Sequence, residues 1–185
     1  MATKGGFRPS EGSREVLRAQ IEESLRRLRT ERIGLYYLHR VDPKTPLEES
    51  LETIREYHDA GAIGGVGISH VGIDEIDRAR AIVPIAAVQN PYNLTDRTYD
   101  DVVDYCTREG IAFVAYYPLH GELGVPVDEI AERRGVTPRQ VALAWLLKRS
   151  PVLVPIPGTL SIEHVKENLA ALDLELSDEE FASLA

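Results

Sequence analysis

Cysteine, long apolar runs and excess positive charge are all scarce in this 185-residue sequence. Cys106 is the sole cysteine, which excludes an intramolecular disulfide. No apolar stretch reaches the ~18 residues that a membrane-spanning helix requires. Lys and Arg number 21 against 30 Asp and Glu, and the formal charge is -9. This balance argues against nucleic acid or an anionic membrane as a partner, because both attract clustered positive charge.

The first residues also lack the long apolar stretch of a signal peptide, so we expect a cytoplasmic protein. The length and the 43% apolar content predict a single domain over residues 1–185. A small anionic ligand is compatible with the acidic composition, because backbone amides at helix N-termini can hold phosphate.

Short aliphatic runs alternate with amphipathic stretches along the chain, and this alternation predicts the secondary structure. Strands are predicted at residues 33–38, 63–68, 86–88, 111–115 and 152–155. Helices are predicted at residues 13–29, 47–60, 74–81, 98–109, 127–134, 138–148 and 161–172, and a short one begins at Ser177. With a strand stub before Lys4, this makes six βα units without a hairpin signal. Such a pattern predicts a parallel sheet with right-handed crossovers.

Two architectures accommodate six such units: an open doubly wound sheet, or part of a (βα)8 barrel, which typically needs ~250 residues when complete. Periodicity alone does not separate them. The first βα turn, at residues 4–7, lacks the G-x-G-x-x-G spacing of a dinucleotide fingerprint, which is evidence against the open sheet. In both architectures, residues that follow successive strands converge on one edge.

Six short polar signatures follow the strands in a fixed order. They are TK at residues 3–4, LHR at 38–40, GISH at 67–70, VQNPYN at 88–93, AYYPL at 115–119 and PIPGT at 155–159. The five histidines have no metal-ligand spacing, and the segment GISHVG is one residue too long for a nucleophile elbow. We therefore expect neither a metal site nor thiol catalysis.

The ordered set LHRVDP, GISHV, VQNPYNL, AYYPL, QVALAWLL, PIPGT and ENLAA resembles the aldo/keto reductases, in particular the bacterial branch whose last strand reads PIPGT. The resemblance covers essentially the whole chain. It implies a (βα)8 barrel that binds an extended nicotinamide dinucleotide, usually NADPH, and reduces aldehydes or ketones. It further implies that the chain comprises units three to eight, so we expect an incomplete (βα)8 TIM barrel with parallel strands.

The resemblance assigns two catalytic side chains, Lys4 and His39. In the family, an aspartate and a tyrosine from the second βα unit act together with a lysine that ends the third strand and a histidine that ends the fourth. The lysine lowers the pKa of the tyrosine, which protonates the developing alkoxide, while the histidine orients the carbonyl. Residues 1–185 contain no counterpart of that aspartate and tyrosine, so we expect impaired carbonyl reduction by this chain.

Three explanations of that departure stay open. The first is that the chain is an impaired reductase. The second is that it is a non-catalytic remnant of a barrel that binds a nucleotide or a partner, or one half of a split barrel. The third is that the start of the sequence has been misplaced. Two missing strands would leave open sheet edges and apolar surface, which favour self-association. The expected small-molecule partner is a carbonyl substrate, whose identity the sequence does not specify.

The resemblance also assigns the cofactor contacts. Ser69, His70 and Gln89 are expected at the carboxamide, Tyr116 on the nicotinamide ring and Leu119 near the pyrophosphate. The adenosine end maps onto Gly158, Thr159, His164, Glu167 and Asn168. His70 stands where an asparagine is usual, and His164 stands where many relatives place an arginine on the 2'-phosphate. NADPH is therefore expected, with NADH left open.

Overall fold

Strands and helices alternate along residues 1–184, the part of the chain that the computed structural model describes. The strands are β1 (Ala2–Gly5), β2 (Leu35–Leu38), β3 (Val66–Ser69), β4 (Ile85–Pro91), β5 (Ala112–Tyr116) and β6 (Leu153–Pro155). The helices are α1 (Arg14–Leu28), α2 (Leu47–Asp59), α3 (Ile73–Arg80), α4 (Asp100–Glu109), α5 (Gly124–Arg134), α6 (Pro138–Arg149), α7 (Ile162–Ala170) and α8 (Asp178–Ser183).

The strands run parallel, and hydrogen-bonded neighbours follow chain order, β1-β2-β3-β4-β5-β6. In the pairing of β1 with β2, Lys4 lies opposite Tyr37. In the pairing of β3 with β4, Ser69 lies opposite Gln89. The parallel pairing confirms the predicted α/β class, and it places the carboxyl ends of paired strands side by side.

The chain divides into two compact units, the N-terminal unit Met1–Gln89 and the C-terminal unit Asn90–Ala185. In the N-terminal unit, α1 and α2 bury Leu17, Ile21, Leu51 and Ile54 completely. All four residues of β3 are buried, which is typical of a parallel strand covered on both faces. The expectation of one domain over residues 1–185 stays a prediction.

The core of the C-terminal unit is built around Trp145. Helix α6 buries every residue from Val141 to Leu146, and its start is fixed by Thr137, whose Oγ1 accepts a hydrogen bond from the Gln140 N–H at 3.3 Å. The Trp145 ring stacks on Phe181, with ring centroids 5.6 Å apart. These contacts explain why the segment QVALAWLL is almost entirely apolar.

The predicted boundaries agree with the structure to within a few residues, and β4 shows the largest change in strand length. This strand was predicted at residues 86–88 and extends from Ile85 to Pro91. The predicted strand ended before Gln89 and Asn90 because these residues are polar. In the structure they belong to β4, and their exposed fractions are 5% and 0%. Gly110 and Gly135 end their helices in the left-handed conformation, which glycine adopts without strain. Every helix within residues 1–184 is too short or too polar to cross a bilayer.

Candidate active site

The N-terminal unit brings five of the predicted site residues to the carboxyl ends of β1–β4. They are Lys4, His39, Ser69, His70 and Gln89. The His39 amide donates to the carbonyl oxygen of Gly5 at 2.8 Å, which holds the residues after β1 and β2 together. The Lys4 ammonium donates a hydrogen bond to Oε1 of Gln89. Lys4 and Gln89, which lie near the first and last residues of this unit in the sequence, are thereby in direct contact.

Ser69 and His70 are both tied to the backbone of Gln89. Ser69 Oγ donates to the Gln89 carbonyl oxygen at 2.6 Å, and the His70 amide donates to the same oxygen at 3.2 Å. His70 has a φ of 59°, in the left-handed region that a non-glycine residue seldom adopts. The backbone conformation and this hydrogen bond fix the direction in which the His70 side chain extends from the backbone.

Positive charge and burial shape the protonation of this cluster. Burial lowers the pKa of His39, and the nearby charges of Lys4, Arg40 and His70 lower it further. Burial, Arg40 and Lys4 likewise lower the pKa of His70. Partial burial lowers the pKa of the Lys4 ammonium. These shifts favour the neutral form of both imidazoles at neutral pH.

A short segment after β1 covers His39. The rings of Phe7 and His39 have centroids 4.8 Å apart, and the Arg40 guanidinium lies 5.3 Å from the Phe7 ring centroid. Phe7 is itself 52% exposed. An aromatic residue on one side of the imidazole limits its orientations and provides apolar surface at the site.

Asp42 anchors that segment and was not predicted as a site residue. Its carboxylate accepts hydrogen bonds from the amides of Ser10, Gly12 and Lys44 and from Thr45 Oγ1, each at 3.0 Å. Burial alone would raise the pKa of Asp42, but these hydrogen bonds lower it to about 2. Asp42 lies within LHRVDP, so the sequence marked its position without revealing that it organises the loop after β1.

Tyr36 and Tyr37 are the tyrosines nearest in sequence to His39, and burial raises the pKa of both. For Tyr37 the value rises to about 12, and for Tyr36 the rise is larger. The Tyr37 ring centroid lies 5.9 Å from Lys4 Nζ, whereas the Tyr36 hydroxyl is buried without a hydrogen-bond partner. Neither tyrosine therefore has the lowered pKa that an activated proton donor requires.

The C-terminal unit contains a cleft of about 440 Å³ after β5 and β6. Six of the predicted cofactor residues line it: Tyr116, Leu119, Gly158, Thr159, His164 and Asn168. A Cβ atom at Gly158 would meet nothing within 4 Å, so a ligand can approach the backbone there. Thr159 Oγ1 lies 3.2 Å from Nδ1 of His164, which positions the imidazole beside the cleft.

Glu167 is the predicted cofactor residue of this unit that does not line the cleft. Its carboxylate accepts a hydrogen bond from Thr137 Oγ1, at the start of α6. Sequence reasoning also missed Arg139, whose side chain lines the cleft. Arg139 lies in the first turn of a helix, so a search limited to residues that follow strands could not find it.

The cleft has properties that suit a nucleotide. Its volume falls in the range of ~300–1,000 Å³ that is usual for small-molecule sites. The aromatic pair Tyr116 and Tyr117, with ring centroids 5.0 Å apart, borders it on one side, and Arg139 supplies a positive charge. Aromatic surface, open backbone at Gly158 and a guanidinium are the features that bind a ring, a sugar and a phosphate.

The chain thus combines a parallel α/β fold with lysine and histidine at its strand ends and, in the C-terminal unit, a cleft of nucleotide size. The profile of the "Aldo/keto reductase family" matches residues 1–125 and 122–185. The chain belongs to this family, which confirms the resemblance drawn from its motifs.

Two relatives illustrate the sequence similarity. The chain is 40% identical over 195 residues to "Uncharacterized oxidoreductase C215.11c" of Schizosaccharomyces pombe, covering 100% of this chain and 64% of that protein. It is 40% identical over 141 residues to pyridoxine 4-dehydrogenase of Escherichia coli, covering 75% of this chain and 49% of that enzyme. The chain thus spans less than two thirds of the length of both relatives.

Solved structures show the same fold. The thermostable aldo-keto reductase Tm1743, crystallised with the inhibitor epalrestat, matches with a TM-score of 0.90 and 33% identity, over 99% of this chain and 68% of that one. An aldo/keto reductase from Klebsiella pneumoniae, crystallised with NADP and acetate, matches with a TM-score of 0.85 and 31% identity, over 99% and 67%. These matches confirm the predicted parallel barrel fold, of which this chain supplies six strands.

Proposed function

We propose that this protein is an NAD(P)H-dependent reductase of aldehydes or ketones, with Lys4 and His39 as its catalytic side chains. The observation that carries this proposal is the contact network at the strand ends, in which Lys4 meets Gln89 and His39 is tied to β1. Family membership supports the reaction class, and the Klebsiella pneumoniae structure, crystallised with NADP, supports the cofactor.

Each catalytic side chain has one task in this proposal. The neutral imidazole of His39 donates a ring N–H to the substrate carbonyl oxygen and so orients it. The ammonium of Lys4 stabilises the negative charge that develops on that oxygen. A reduced nicotinamide bound by the residues named below would supply hydride to the carbonyl carbon. Phe7, packed on His39, shields the imidazole from water on one side.

The remaining predicted residues bind the cofactor. In the N-terminal unit, Ser69, His70 and Gln89 are proposed to contact the carboxamide. In the C-terminal unit, Tyr116 stacks on the nicotinamide ring and Leu119 lies near the pyrophosphate. The adenosine end is bound by Gly158, Thr159, His164, Glu167 and Asn168. Every residue of this second set except Glu167 lines the cleft, which supports the assignment.

A nucleotide-binding protein without catalysis is the second candidate for the 185-residue chain. The observation that favours it is the raised pKa of Tyr36 and Tyr37, because the alkoxide oxygen must still receive a proton. General acid catalysis commonly contributes ~10²- to 10⁴-fold to a rate. We therefore propose that reduction by this chain alone is slow. Self-association through open strand edges likewise stays a prediction.

The proposal is tested by combining nucleotide binding with turnover. The chain is titrated with NADPH by fluorescence and then assayed with a panel of aldehydes, with pyridoxine oxidation by NADP included because of the Escherichia coli relative. Turnover above the buffer rate that disappears in Lys4→Met and His39→Ala supports the reductase. Binding without turnover supports the second candidate, and a folded chain that binds no nucleotide contradicts both.

A further inference from the structure

Arg40 directly follows His39 and is exposed to solvent beside the candidate active site. Its guanidinium Cζ lies 5.3 Å from the Phe7 ring centroid, and the Phe7 and His39 ring centroids lie 4.8 Å apart. Because both distances are measured to the same Phe7 ring, Arg40 Cζ lies at most about 10 Å from the His39 ring centroid. Among residues 1–184, no carboxylate forms an ion pair with Arg40.

The carboxylates nearest in sequence to Phe7 and Arg40 are those of Glu11 and Asp42, and both have other partners. Glu11 Oε2 accepts hydrogen bonds from the amides of Phe7 and Arg8, each at 3.0 Å. The Asp42 carboxylate accepts the hydrogen bonds from amides and a hydroxyl that hold the loop after β1. The positive charge of Arg40 therefore remains available to a ligand.

The charge of Arg40 acts on the residues of the site. Burial is the largest cause of the lowered pKa of His70, and the Arg40 charge is the next. The Arg40 charge also lowers the pKa of His39, after burial and Lys4. The chain as a whole carries a formal charge of -9, so the positive potential from Lys4 and Arg40 is local to this site. A local positive charge in an acidic protein raises the concentration of anions at that point.

The two cations of the site differ in the contacts that they make. The Lys4 ammonium donates a hydrogen bond to Gln89, next to the proposed position of the carbonyl oxygen. The Arg40 guanidinium packs on the Phe7 ring instead. A guanidinium that packs on an aromatic ring keeps its N–H edge available, and this edge matches the two oxygens of a carboxylate or phosphate.

We propose that Arg40 selects carbonyl substrates that carry an anionic group, and that it binds this group while His39 binds the carbonyl oxygen. The inference rests on the proposed function, because it places the substrate carbonyl at His39. The anionic group is a carboxylate or a phosphate and takes no part in the reduction. The distance from Arg40 to His39 limits the substrate to a small molecule in which one ring or a short chain separates the two groups.

The test compares aldehydes that differ in charge, using the full 185-residue chain. One pair is 4-carboxybenzaldehyde and its methyl ester, and the other is glyceraldehyde 3-phosphate and glyceraldehyde. For each aldehyde, kcat/KM is measured from NADPH absorbance. The Kd is measured without turnover, by NMR titration of the His39 and His70 ring protons in the presence of NADP. The wild type is expected to prefer the anionic member of a pair, and the pair that shows the preference distinguishes carboxylate from phosphate.

Arg40→Ala is expected to lower the ratio of anionic to neutral kcat/KM by ~5- to 20-fold, between the effects of an exposed ion pair and of a hydrogen bond to a charged group. An indirect effect through the pKa of His39 would change both members of a pair alike and would cancel in this ratio. Arg40→Lys should retain part of the preference, because it keeps the charge and loses the fork geometry. Arg55→Ala is the matched control, since it removes an exposed positive charge from α2 and should leave the ratio unchanged.

The possible outcomes separate this inference from the proposed function. Reduction of aldehydes with the same ratio in wild type and Arg40→Ala, in both pairs, contradicts the inference and leaves the proposed function intact. An equal fall of the ratio in Arg55→Ala also contradicts it, because net charge would then be responsible. A Kd preference that is lost in Arg40→Ala, without turnover, supports the role of Arg40 in binding and contradicts the reductase. A wild-type chain that binds none of the four aldehydes contradicts both.

Discussion

Lys4 and Gln89 are 85 positions apart in the sequence, yet the lysine ammonium donates a hydrogen bond to the amide oxygen of the glutamine. Lys4 belongs to β1 and Gln89 to β4, so three strand spacings separate them. In a flat sheet these spacings amount to ~14 Å, and side chains stand roughly perpendicular to the sheet. The contact therefore requires that β1–β4 curve toward the face that carries both residues, as they do in a barrel.

This contact predicts that the residue at position 89 controls the protonation of Lys4. Gln89→Glu places a carboxylate beside the ammonium and should raise the pKa of Lys4, because an opposite charge favours the charged form. Gln89→Leu should lower it, because the ammonium loses its acceptor. The measurement is an NMR titration of the lysine side-chain carbons. A Lys4 pKa that does not respond would show that the contact is absent in solution.

Gly67 is predicted to be intolerant of any side chain. A Cβ atom at this position would lie 2.4 Å from Cδ1 and Cε1 of the buried Tyr37 ring. Gly67→Ala should therefore lower the free energy of unfolding by about 1–3 kcal/mol, the usual cost of overpacking a core. Chemical denaturation measures the change. Gly158→Ala is the control, because its Cβ meets nothing within 4 Å, and it should leave stability unchanged. Equal stability of both variants would contradict the packing at Gly67.

Asp42 is predicted to make the N-terminal unit sensitive to acid. Its pKa is about 2 in the folded chain and ~3.9 in an unfolded one, so the folded state favours the charged carboxylate. The resulting stability is fully present above about pH 4 and is lost as the pH falls toward 2. Asp42→Asn should be less stable at pH 7 by about 1–3 kcal/mol, because one carboxylate oxygen becomes an NH2 group and the groups that donate to that oxygen lose their acceptor.

Denaturant melts of wild type and Asp42→Asn between pH 7 and pH 2 check this prediction. The difference in the free energy of unfolding should shrink below about pH 4, where protonation of Asp42 brings the wild type closer to the variant. Asp128→Asn removes an exposed charge from α5 and should leave the melts unchanged. A difference that stays constant down to pH 2 would mean that the hydrogen bonds to Asp42 do not depend on its charge.

The sequence predicted the parts of this molecule that depend on local pattern. Apolar periodicity located the helices and strands to within a few residues. It could not predict that Gln89 and Asn90 continue β4, because polar residues in a strand are recognised only by the partners that bury them. The grouping of residues at the strand ends could be predicted as well, because parallel strands place their carboxyl ends at the same edge of the sheet.

What the sequence did not reveal depends on contacts between distant segments. Asp42 organises the loop after β1 through hydrogen bonds to backbone amides, which leave no trace in a residue pattern. Arg139 faces the cleft because Thr137 and Gln140 hold α6 against α7, and this docking has no local signature.

Cofactor binding is predicted to depend on Tyr116 and Asn168, which line the same cleft. Tyr116→Ala removes an aromatic face worth ~1–3 kcal/mol when a planar ring stacks on it, and Asn168→Ala removes a polar contact. Both variants should weaken NADPH binding in a fluorescence titration. Val125→Ala changes an exposed residue outside the cleft and should bind as wild type does. Unaltered affinity in both cleft variants would place the nucleotide elsewhere.

Carbonyl reduction by the 185-residue chain alone is predicted to be slow and to depend on His39. The hydroxyls of Tyr36 and Tyr37 have raised pKa values, so neither readily gives a proton to the alkoxide that hydride transfer produces. We expect turnover of a nitrobenzaldehyde well below ~1 s⁻¹, the low end of ordinary enzyme rates, when NADPH absorbance is followed. His39→Ala should reduce that rate further, and His39→Gln should retain part of it, because glutamine still donates a neutral N–H to the carbonyl oxygen. Turnover at or above ~1 s⁻¹ that His39→Ala abolishes would contradict this prediction and would mean that a tyrosine of this chain supplies the proton. In that event Tyr37→Phe, which keeps the ring that packs on Gly67 and faces Lys4, would show whether the Tyr37 hydroxyl is the donor.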